Sequence, residues 1–406
     1  MRVPCVGATL LFSCLPVVAG AQSLTLTESD ALARLSDESP RVRVLRAGTD
    51  VARAEVLAAG RWPNPRLTFD RESVAGTTEN ITTVAQPLPI TGRRGFEVRA
   101  ASALVDAASS RADDAVRRVR ADLRIAFAQL VAAQTREREM TAARDRLREI
   151  VEILAKREAA GDAAGFDHLR AEREIFDLDA DRALASIDRT RAQAMLASFF
   201  LATDPSTLSA VEVSSTRPEV PTVAALIERA ESIRGELVGL RHEREATRLS
   251  ARAADRRRLP EPEIVAGTKS SSVGSGDVGS LVSVQATLPL FDRGRPERAL
   301  AEARARQAAA RAEVFRLSLS AEIAALRSAV IERRRSADAY RATAISGVSQ
   351  IERIARVSYE AGERGILELL DAYRTGISAS ARQAALDLAA RQAEIELEFV
   401  SGWEMP

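Results

Sequence analysis

Two long stretches of the chain carry apolar residues at every third or fourth position. The first covers residues 94–159 and contains no proline and, after Gly95, no glycine. A helix of that span is roughly 100 Å long, because each residue adds about 1.5 Å. The second stretch covers residues 296–359 and repeats the same spacing. Periodicity sustained over so many turns predicts very long helices with coiled-coil-like packing.

Four short segments alternate apolar and polar residues, which is the pattern of a strand with one apolar face. In residues 66–74, Leu67 and Phe69 alternate with polar neighbours, and residues 81–88 form the partner strand after a loop over residues 75–80. The second pair covers residues 263–271 and 281–288, with a polar loop between them. Each strand has about ten residues, the length that crosses a bilayer at a tilt.

Two such hairpins need strand partners that the rest of the chain does not offer. A pair of soluble hairpins is the alternative, but an isolated two-stranded hairpin is barely stable in water. Four strands are also too few to close a barrel. The pattern therefore predicts that other copies of the same chain complete the sheet.

Glycine turns separate the long helices from shorter ones that follow them. The first turn extends from Gly161 to Gly165 and the second from Gly362 to Gly365. Shorter apolar-periodic segments return over residues 166–201 and 366–401. Each turn therefore predicts the tip of an antiparallel pair of helices.

The chain contains this series of elements twice. The motif Pro63-Asn64-Pro65 returns about 200 residues later as Pro260-Glu261-Pro262, and the glycine turn returns at nearly the same shift. A near-constant shift indicates two copies of one structural unit. We predict a first repeat over residues 22–203, a proline-containing linker over 204–222 and a second repeat over 223–406.

Residues 1–21 have the features of a secretory signal peptide: a positively charged start, an apolar run and an A-x-A cleavage motif that ends at Ala21. The two cysteines, Cys5 and Cys14, both lie in this segment. The exported part would therefore contain no disulfide, thiolate zinc site or cysteine nucleophile. Cys14 lies in a sequence similar to a lipoprotein box, which leaves lipidation as an alternative.

Composition narrows the class of protein. The chain has 58 Lys and Arg against 57 Asp and Glu, which argues against nucleic acid as the main partner. Aromatic residues make up 4% of the chain, which is low for a thick globular core and suits thin layers of long helices. No stretch after the signal is apolar over the length of a transmembrane helix. These features point to an envelope component.

Residues for catalysis are scarce. His168 and His242 are the only histidines in the sequence, so a three-histidine metal site within one chain is impossible. We find no H-E-x-x-H, G-x-S-x-G or phosphate-binding motif. The sequence predicts no enzyme, no cofactor and no metal site, and both histidines are expected to be exposed helix residues.

Arginines and a tryptophan cluster where helices meet the predicted strands, at matching positions of the two repeats. A nucleic-acid patch and ordinary solvated charge are alternatives. A membrane–water boundary is favoured because arginine side chains reach toward phosphates and tryptophan is frequent there. The predicted interface residues are Trp62, Arg93, Arg94 and Arg293.

Acidic residues follow both glycine turns. Glu368 and Asp371 are three positions apart and share one helix face, and Asp167 occupies the place of Glu368 in the first repeat. On helices that line a symmetric tube these side chains would form a negative ring that favours cations. Solvated surface carboxylates are the alternative. Arg364 and Arg374 are near enough in sequence to pair across helices in a closed state.

The order and spacing of these features resemble the TolC-like outer-membrane efflux family over nearly all of the exported chain. The resemblance is carried by the duplicated helix–strand–strand–helix–helix unit, by the strand-to-helix junctions at residues 86–95 and 286–294, and by both glycine turns. The segment Tyr359-Glu360-Ala361-Gly362 and residues 367–372 are especially similar to the family's second turn. The resemblance implies a mainly α fold with a small transmembrane β part. Three chains would form a twelve-stranded outer-membrane barrel above a periplasmic tunnel of long helices.

The resemblance also implies partners and a function. The protein would be the passive exit duct of a tripartite efflux system, with a periplasmic adaptor bound at the tips and an inner-membrane pump of the resistance-nodulation-division type beyond it. Outer-membrane lipid would surround the barrel. By position, Glu368 and Asp371 match acidic residues that constrict the family's periplasmic entrance. The first turn departs from this pattern, because nothing there matches Asp371.

Two other classes of protein stay open at this stage. A structural or adaptor-like periplasmic coiled-coil protein would share the long helices but should lack strands of membrane-spanning length. An envelope enzyme would need a catalytic constellation, and none is found. Within the efflux family the pattern leans toward the cobalt–zinc–cadmium branch, while the transported substrate stays undetermined.

Overall fold

The structure is a computed structural model that describes residues 24–161, 165–201, 203–213, 217–273 and 276–404. The predicted signal peptide, with Cys5 and Cys14, lies outside these residues. The elements of the first half are β1 (Leu24–Leu26), α1 (Glu28–Arg34), α2 (Pro40–Ala59), β2 (Arg66–Val74), β3 (Thr77–Pro87), α3 (Arg93–Ala159) and α4 (Gly165–Ala197).

The second half has the same order of long elements. Its elements are a 3-10 turn (Pro205–Thr207), β4 (Leu208–Ala210), α5 (Val223–Ile233), α6 (Gly235–Arg256), β5 (Pro262–Ser271), β6 (Val278–Ala286), α7 (Arg295–Tyr340), a π-helical segment (Arg341–Ile345), α8 (Ser346–Glu360) and α9 (Ile366–Ser401). Across the described ranges, no helix is apolar over enough residues to cross a membrane.

Helix α3 organises the packing. It has 67 residues without interruption, in agreement with the periodicity of residues 94–159, and it packs against α2, α4, α6 and α9. Its apolar stripe places Leu123 and Leu130 in one core cluster with β1, α1 and the end of α4. Further along, Met140 and Leu147 join a second cluster with α4 and α9. The core is therefore a series of clusters along one helix axis.

The second long helix is not continuous, which corrects the prediction for residues 296–359. A π-helical segment at Arg341–Ile345 separates α7 from α8. Thr343 and Ser346 donate their hydroxyls to the carbonyls of Ala339 and Ala342, each at 2.7 Å. Hydroxyls that bond back to the preceding turn compete with the regular helix ladder. A π turn takes about one residue more than an α turn. Because Tyr340, Ala344 and Val348 are still four positions apart, the spacing of apolar residues alone did not reveal it.

The four long strands form one antiparallel sheet in the order β2-β3-β5-β6. The two hairpins therefore pair with each other inside the chain. Strand β3 contacts β5 in a register that runs from Glu79 opposite Ser271 to Pro87 opposite Glu263. The first repeat is thus joined to the second through the centre of the sheet, a link that the strand pattern alone did not predict.

The first hairpin is tighter than predicted. Strand β3 begins at Thr77, so the loop expected over residues 75–80 shrinks to Ala75 and Gly76. Both residues have positive φ, 49° and 83°, as a two-residue hairpin turn requires. The polar residues Thr78 and Glu79 looked like loop residues but pair with β2. Of the predicted second loop, residues 274–275 lie outside the described part.

The predicted linker over residues 204–222 contains a short strand. Strand β4 pairs in parallel with β1, with Leu24 opposite Leu208 and Leu26 opposite Ala210. Leu26 and Leu208 are both buried in the core cluster around α3. The segment between the repeats is therefore packed against the start of the first repeat.

Candidate functional site

The sheet has one apolar and one polar face. The register places Leu67, Val84, Ala266 and Val282 in one row across all four strands. On this face Leu67 is 71% exposed and Val282 is 77% exposed. An apolar row this exposed needs an apolar environment, since soluble proteins rarely leave large apolar patches in water.

The opposite face of the sheet carries charges that neutralise one another. Lys269 Nζ is 2.7 Å from Glu79 Oε2, and Arg66 Nη2 is 3.9 Å from Glu263 Oε1. A sheet with one face of each kind can separate a lipid phase from an aqueous one.

Both outer edges of this sheet lack a neighbouring strand among the described residues, since β2 and β6 stand at its ends. Unpaired strand edges are templates for pairing with another chain. In lipid they must be paired, because no water is present to satisfy the backbone groups. The free edge of β2 and the free edge of β6 could therefore pair with each other between two copies of the chain.

The fold brings three of the predicted interface residues together at the first junction. Arg93 donates to Glu97 at 2.9 Å and to Glu261 at 3.1 Å, and Glu261 belongs to the second repeat. Arg94 Nε donates to the carbonyl of Gly60 at 2.8 Å, and its guanidinium lies 5.5 Å from the Trp62 ring centre. Here the arginine heads face groups of their own chain.

Arg293, at the second junction, differs from Arg93 and Arg94. Its side chain is exposed and forms no hydrogen bond or ion pair with any residue that the structure describes. The neighbouring Arg257 is the paired arginine of this junction, 2.6 Å from Glu297. The membrane-boundary role of all four predicted residues stays a prediction.

Glycines with a left-handed backbone follow the two helices that end at the predicted tips, and residues 162–164 of the first turn lie outside the described part of the chain. Gly161 and Gly362 have φ of 79° and 73° and lie two residues after the ends of α3 and α8. Only glycine adopts this left-handed conformation without strain, so these two positions explain the turns. Gly365 has φ −81° and begins α9, and Gly165 begins α4; neither requires a left-handed backbone.

The predicted gate acids lie at these tips. Glu368 and Asp371 are exposed in the first turns of α9 and form no ion pair within the described chain. Asp167 is half-buried at the start of α4, near Tyr359 of α8. Burial raises the pKa of the Tyr359 hydroxyl, and Asp167 adds to that rise against a hydrogen bond from Arg157.

Arg374 forms a cross-helix ion pair one turn beyond Asp371. Its Nε donates to Glu174 Oε1 on α4 at 2.6 Å, and its Nη2 contacts the second oxygen of the same carboxylate. This bidentate pair ties the start of α9 to α4. The sequence suggested that Arg374 and Arg364 pair across helices; Arg364 is exposed and forms no ion pair among the described residues.

Charges are buried near the other end of α9, where sequence reasoning expected none. Glu394 is 2% exposed, and its Oε1 lies 2.7 Å from Arg334 Nε of α7. Its other oxygen lies 3.3 Å from Arg391 on the preceding turn. Acidic residues at helical spacing among the apolar residues Ile395 and Leu397 were the signal that could have revealed this site.

The buried charges extend to α1. Glu28 of α1 binds both Arg124 of α3 and Arg391 of α9, and Arg124 also binds Glu398. Burial opposes ionisation of Glu28, but Arg391 and Arg124 outweigh it and hold the pKa of this carboxyl below its usual value. Burial raises the pKa of Glu398 in spite of Arg124. This network joins three helices that are far apart in sequence.

The described residues contain no group of three His, Cys, Asp or Glu side chains that could hold a metal ion. His168 and His242 lie on α4 and α6, in different parts of the fold. The candidate functional features of the described residues are therefore the two faces of the sheet and the two helix tips, not a cluster of catalytic or metal-binding side chains.

Comparison with known proteins agrees with this organisation. A family model described as outer membrane efflux protein matches residues 31–200 and 226–402. The nickel-cobalt-cadmium resistance protein NccC of Alcaligenes xylosoxydans xylosoxydans is 27% identical over 345 residues, 80% of this chain and 74% of that protein. The cobalt-zinc-cadmium resistance protein CzcC of Cupriavidus metallidurans is 23% identical over 91% of this chain and 88% of its own. The outer membrane protein VceC of Vibrio cholerae has a similar fold, with a TM-score of 0.74 at 18% identity over 92% of this chain and 96% of that one.

Proposed function

The chain belongs to the outer membrane efflux protein family, and from this membership we propose that three copies assemble into one channel. The protein is an outer-membrane exit duct for efflux with a large helical part in the periplasm. The sequence resemblance to the TolC-like family and its cobalt–zinc–cadmium branch is confirmed. Membership of an outer-membrane efflux family excludes the alternative of a structural or adaptor-like periplasmic protein. We infer that the chain is a passive conduit and not an enzyme.

The four-stranded sheet carries the proposal of a trimer. Its apolar face needs lipid, its polar face needs water, and its two free edges need partners. When β6 of one copy pairs with β2 of the next, no edge remains, and three copies give a closed twelve-stranded barrel. The long helices that follow β3 and β6 would then continue the barrel as a periplasmic tunnel.

Cysteine crosslinking tests this arrangement, because the described part of the chain contains no cysteine. A series of single cysteines along β2 is combined with Ser283→Cys on β6, and the proposal expects crosslinked dimers and trimers of the chain. The control replaces the β6 cysteine with Thr83→Cys, which lies opposite Thr68 in the same chain. That pair should crosslink without a change in molecular mass. Exclusively monomeric products from the β2–β6 series would contradict the barrel.

We propose that the tips dock the other components of the efflux system. Gly161 and Gly165 belong to one tip, and Gly362 and Gly365 belong to the other. Both tips lie next to the starts of α4 and α9, which the ion pair of Arg374 and Glu174 joins. A periplasmic adaptor would bind there and connect the duct to an inner-membrane pump of the resistance-nodulation-division type. The exposure of Gly161 and of residues 361–365, and the left-handed backbone of Gly161 and Gly362, support this assignment.

We propose that Glu368, Asp371 and Asp167 line the periplasmic entrance. In a trimer the exposed carboxylates of α9 would converge on one axis, where crowded negative charges favour cations. The double variant Glu368→Ala with Asp371→Ala should weaken cation preference and cation block of single channels in planar bilayers. Glu363→Ala, an exposed acid in the turn itself, is the matched control. Unchanged selectivity in the double variant would place the constriction elsewhere.

We propose that Trp62, Arg93, Arg94 and Arg293 mark the periplasmic boundary of the membrane. They lie where helices meet the strands whose apolar face would contact lipid. Arg93 and Arg94 bind Glu261 and Gly60 at the junction, while Arg293 is exposed and would be available to lipid phosphate.

We propose divalent transition-metal cations as the exported substrate. Relatives that span most of the chain carry the names of nickel, cobalt, zinc and cadmium resistance. The lack of a three-ligand site among the described residues is compatible with transport, because a conduit needs only passage. Deletion of the gene should raise sensitivity to these metals and leave sensitivity to organic drugs unchanged. The reverse pattern would assign the duct to a drug pump.

A further inference from the structure

His168 lies between two carboxylates at the turn from α3 to α4. Its Nδ1 is 2.6 Å from Glu158 Oε2, in the last turn of α3, and its Nε2 is 3.6 Å from Glu172 Oε1, one turn further along α4. The imidazole is 21% exposed, so the ring is largely covered by its surroundings. The side chain therefore connects the two helices on either side of the first tip.

Gly165 makes room for this contact. A Cβ at position 165 would lie 2.6 Å from Glu158 Oε1, closer than two unbonded atoms approach. The backbone of Gly165 does not adopt the left-handed conformation. The close approach of the Glu158 carboxylate, rather than backbone strain, thus accounts for glycine at this position.

The second tip has no counterpart of this arrangement. Leu369, buried, holds the place of His168 in the second repeat, and Tyr359 holds the place of Glu158. The contact that spans α8 and α9 is a hydrogen bond from Arg356 to the Tyr373 hydroxyl at 2.8 Å. An arginine keeps its charge over the whole physiological range, whereas a histidine does not.

A proton, and not a metal ion, is the ligand that this geometry fits. The two carboxylates face different ring nitrogens, so they cannot share one ion with the ring. A neutral imidazole has one N–H and can donate to only one carboxylate, while the protonated ring donates from both nitrogens. Among the other charged side chains described at this tip, Arg157 and Asp167 act on Tyr359 of α8, Arg170 lies over the Phe166 ring, and Lys156 belongs to the last turn of α3.

We propose that His168 is a positioning residue of the first tip and that its protonation sets how firmly α3 and α4 are held together. The protonated ring would be hydrogen-bonded to Glu158 across the two helices and attracted by the charge of Glu172 on its own helix. As the pH rises and the ring loses its proton, its charge attraction to both carboxylates is lost, and the neutral ring can keep only the hydrogen bond with Glu158. In an acidic periplasm the first tip would be better ordered for adaptor docking. This consequence rests on the proposed function, whereas the contacts of His168 do not depend on it.

Hydrogen exchange measured by mass spectrometry on the full-length protein in detergent tests the contacts of His168 without any partner. Exchange of peptides from the end of α3 and the start of α4 is followed between pH 5.5 and 8 and corrected for the pH dependence of chemical exchange. Protection should fall about two- to fivefold as the pH rises, the range expected for a partly exposed ion pair. Peptides from the second tip should show no such change.

Two histidine variants decide the assignment, because His242 is the other histidine of the chain. His168→Gln keeps an uncharged amide donor at every pH and should give a flat profile, whereas His242→Gln should keep the wild-type profile. Gly165→Ala, which displaces Glu158, should reduce protection at acidic pH. A pH-dependent profile that survives in His168→Gln, or a flat profile in the wild type, would overturn the proposal. Neither result would bear on trimer formation or efflux, which are measured separately.

Discussion

The two ends of α9 carry acidic residues in opposite environments. At its start Glu368 and Asp371 are exposed and form no ion pair within the described chain. At its end Glu394 and Glu398 are buried and bound by arginines from α7 and α3. One helix thus contains acidic side chains that are exposed to solvent and acidic side chains that form ion pairs inside the fold.

The comparison teaches that burial, not residue type or spacing, separates the two roles. Glu368 and Asp371 are three positions apart and Glu394 and Glu398 four, so both pairs share one helix face. A buried carboxylate without its arginine would be an uncompensated charge, which costs far more than an exposed one. We therefore expect changes at the end of α9 to affect stability and changes at its start to affect transport.

The largest expected effect is on stability at the buried end. Glu394→Gln removes the buried carboxylate that faces Arg334 and Arg391, although Arg391 keeps its contact with Glu28, and should reduce the free energy of unfolding by about 3 kcal/mol. The measurement is thermal or denaturant unfolding of the purified protein in detergent, followed by circular dichroism. The matched control, Glu368→Gln, should change stability by less than about 0.5 kcal/mol. Equal losses in the two variants would remove the distinction between the ends.

A smaller effect is expected from the turn that leads into α9. Gly362 has φ 73°, so Gly362→Val should cost about 1–2 kcal/mol locally and distort the tip. Efflux should be abolished while heat-modifiable trimers remain in the outer membrane. Gly365→Ala is the control, because φ is −81° there and the added Cβ makes only an ordinary contact with Glu368. Normal efflux in Gly362→Val would argue against docking at this tip.

The pair of Arg374 and Glu174 gives a sharper test of the exposed end. Arg374→Glu breaks the link between α9 and α4 and places like charges together, so the entrance should loosen and single-channel conductance should rise. The coupling should be about 0.5–1 kcal/mol, because Arg374 is largely exposed. The exchanged variant, Arg374→Glu with Glu174→Arg, should restore the wild-type conductance. If the exchange fails to do so, the pair does not act as a direct contact.

The smallest effect concerns the pH dependence of the buried network. Because the pKa of Glu28 is lowered in the fold, its ionised form contributes stability above its usual titration range. That contribution is lost as the pH falls through the lowered pKa. Glu28→Gln should therefore lower stability at neutral pH and lose less of it on acidification than the wild type. Parallel pH curves for the two proteins would show that Glu28 contributes nothing through its charge.

Local sequence patterns determined the elements of this protein. The periodicity over residues 94–159 is a property of one helix, and α3 follows it from Arg93 to Ala159. The alternation in residues 66–74 likewise gave β2 its bounds, and Gly161 and Gly362 gave the two helix ends at which they stand. These features depend on neighbours in the chain, so the sequence alone contains the information.

The tertiary structure alone decided which distant groups meet. Nothing in the sequence pairs β3 with β5, Arg124 with both Glu28 and Glu398, or Arg374 with Glu174. Such contacts join residues far apart in the chain, and charged residues at helical spacing look the same whether their face is buried or solvated. The widened turn at Arg341–Ile345 belongs to this group as well, because an apolar stripe does not distinguish it from a regular turn. Periodicity fixes the axis and the apolar face of a helix, but the partner that covers that face is set by the fold.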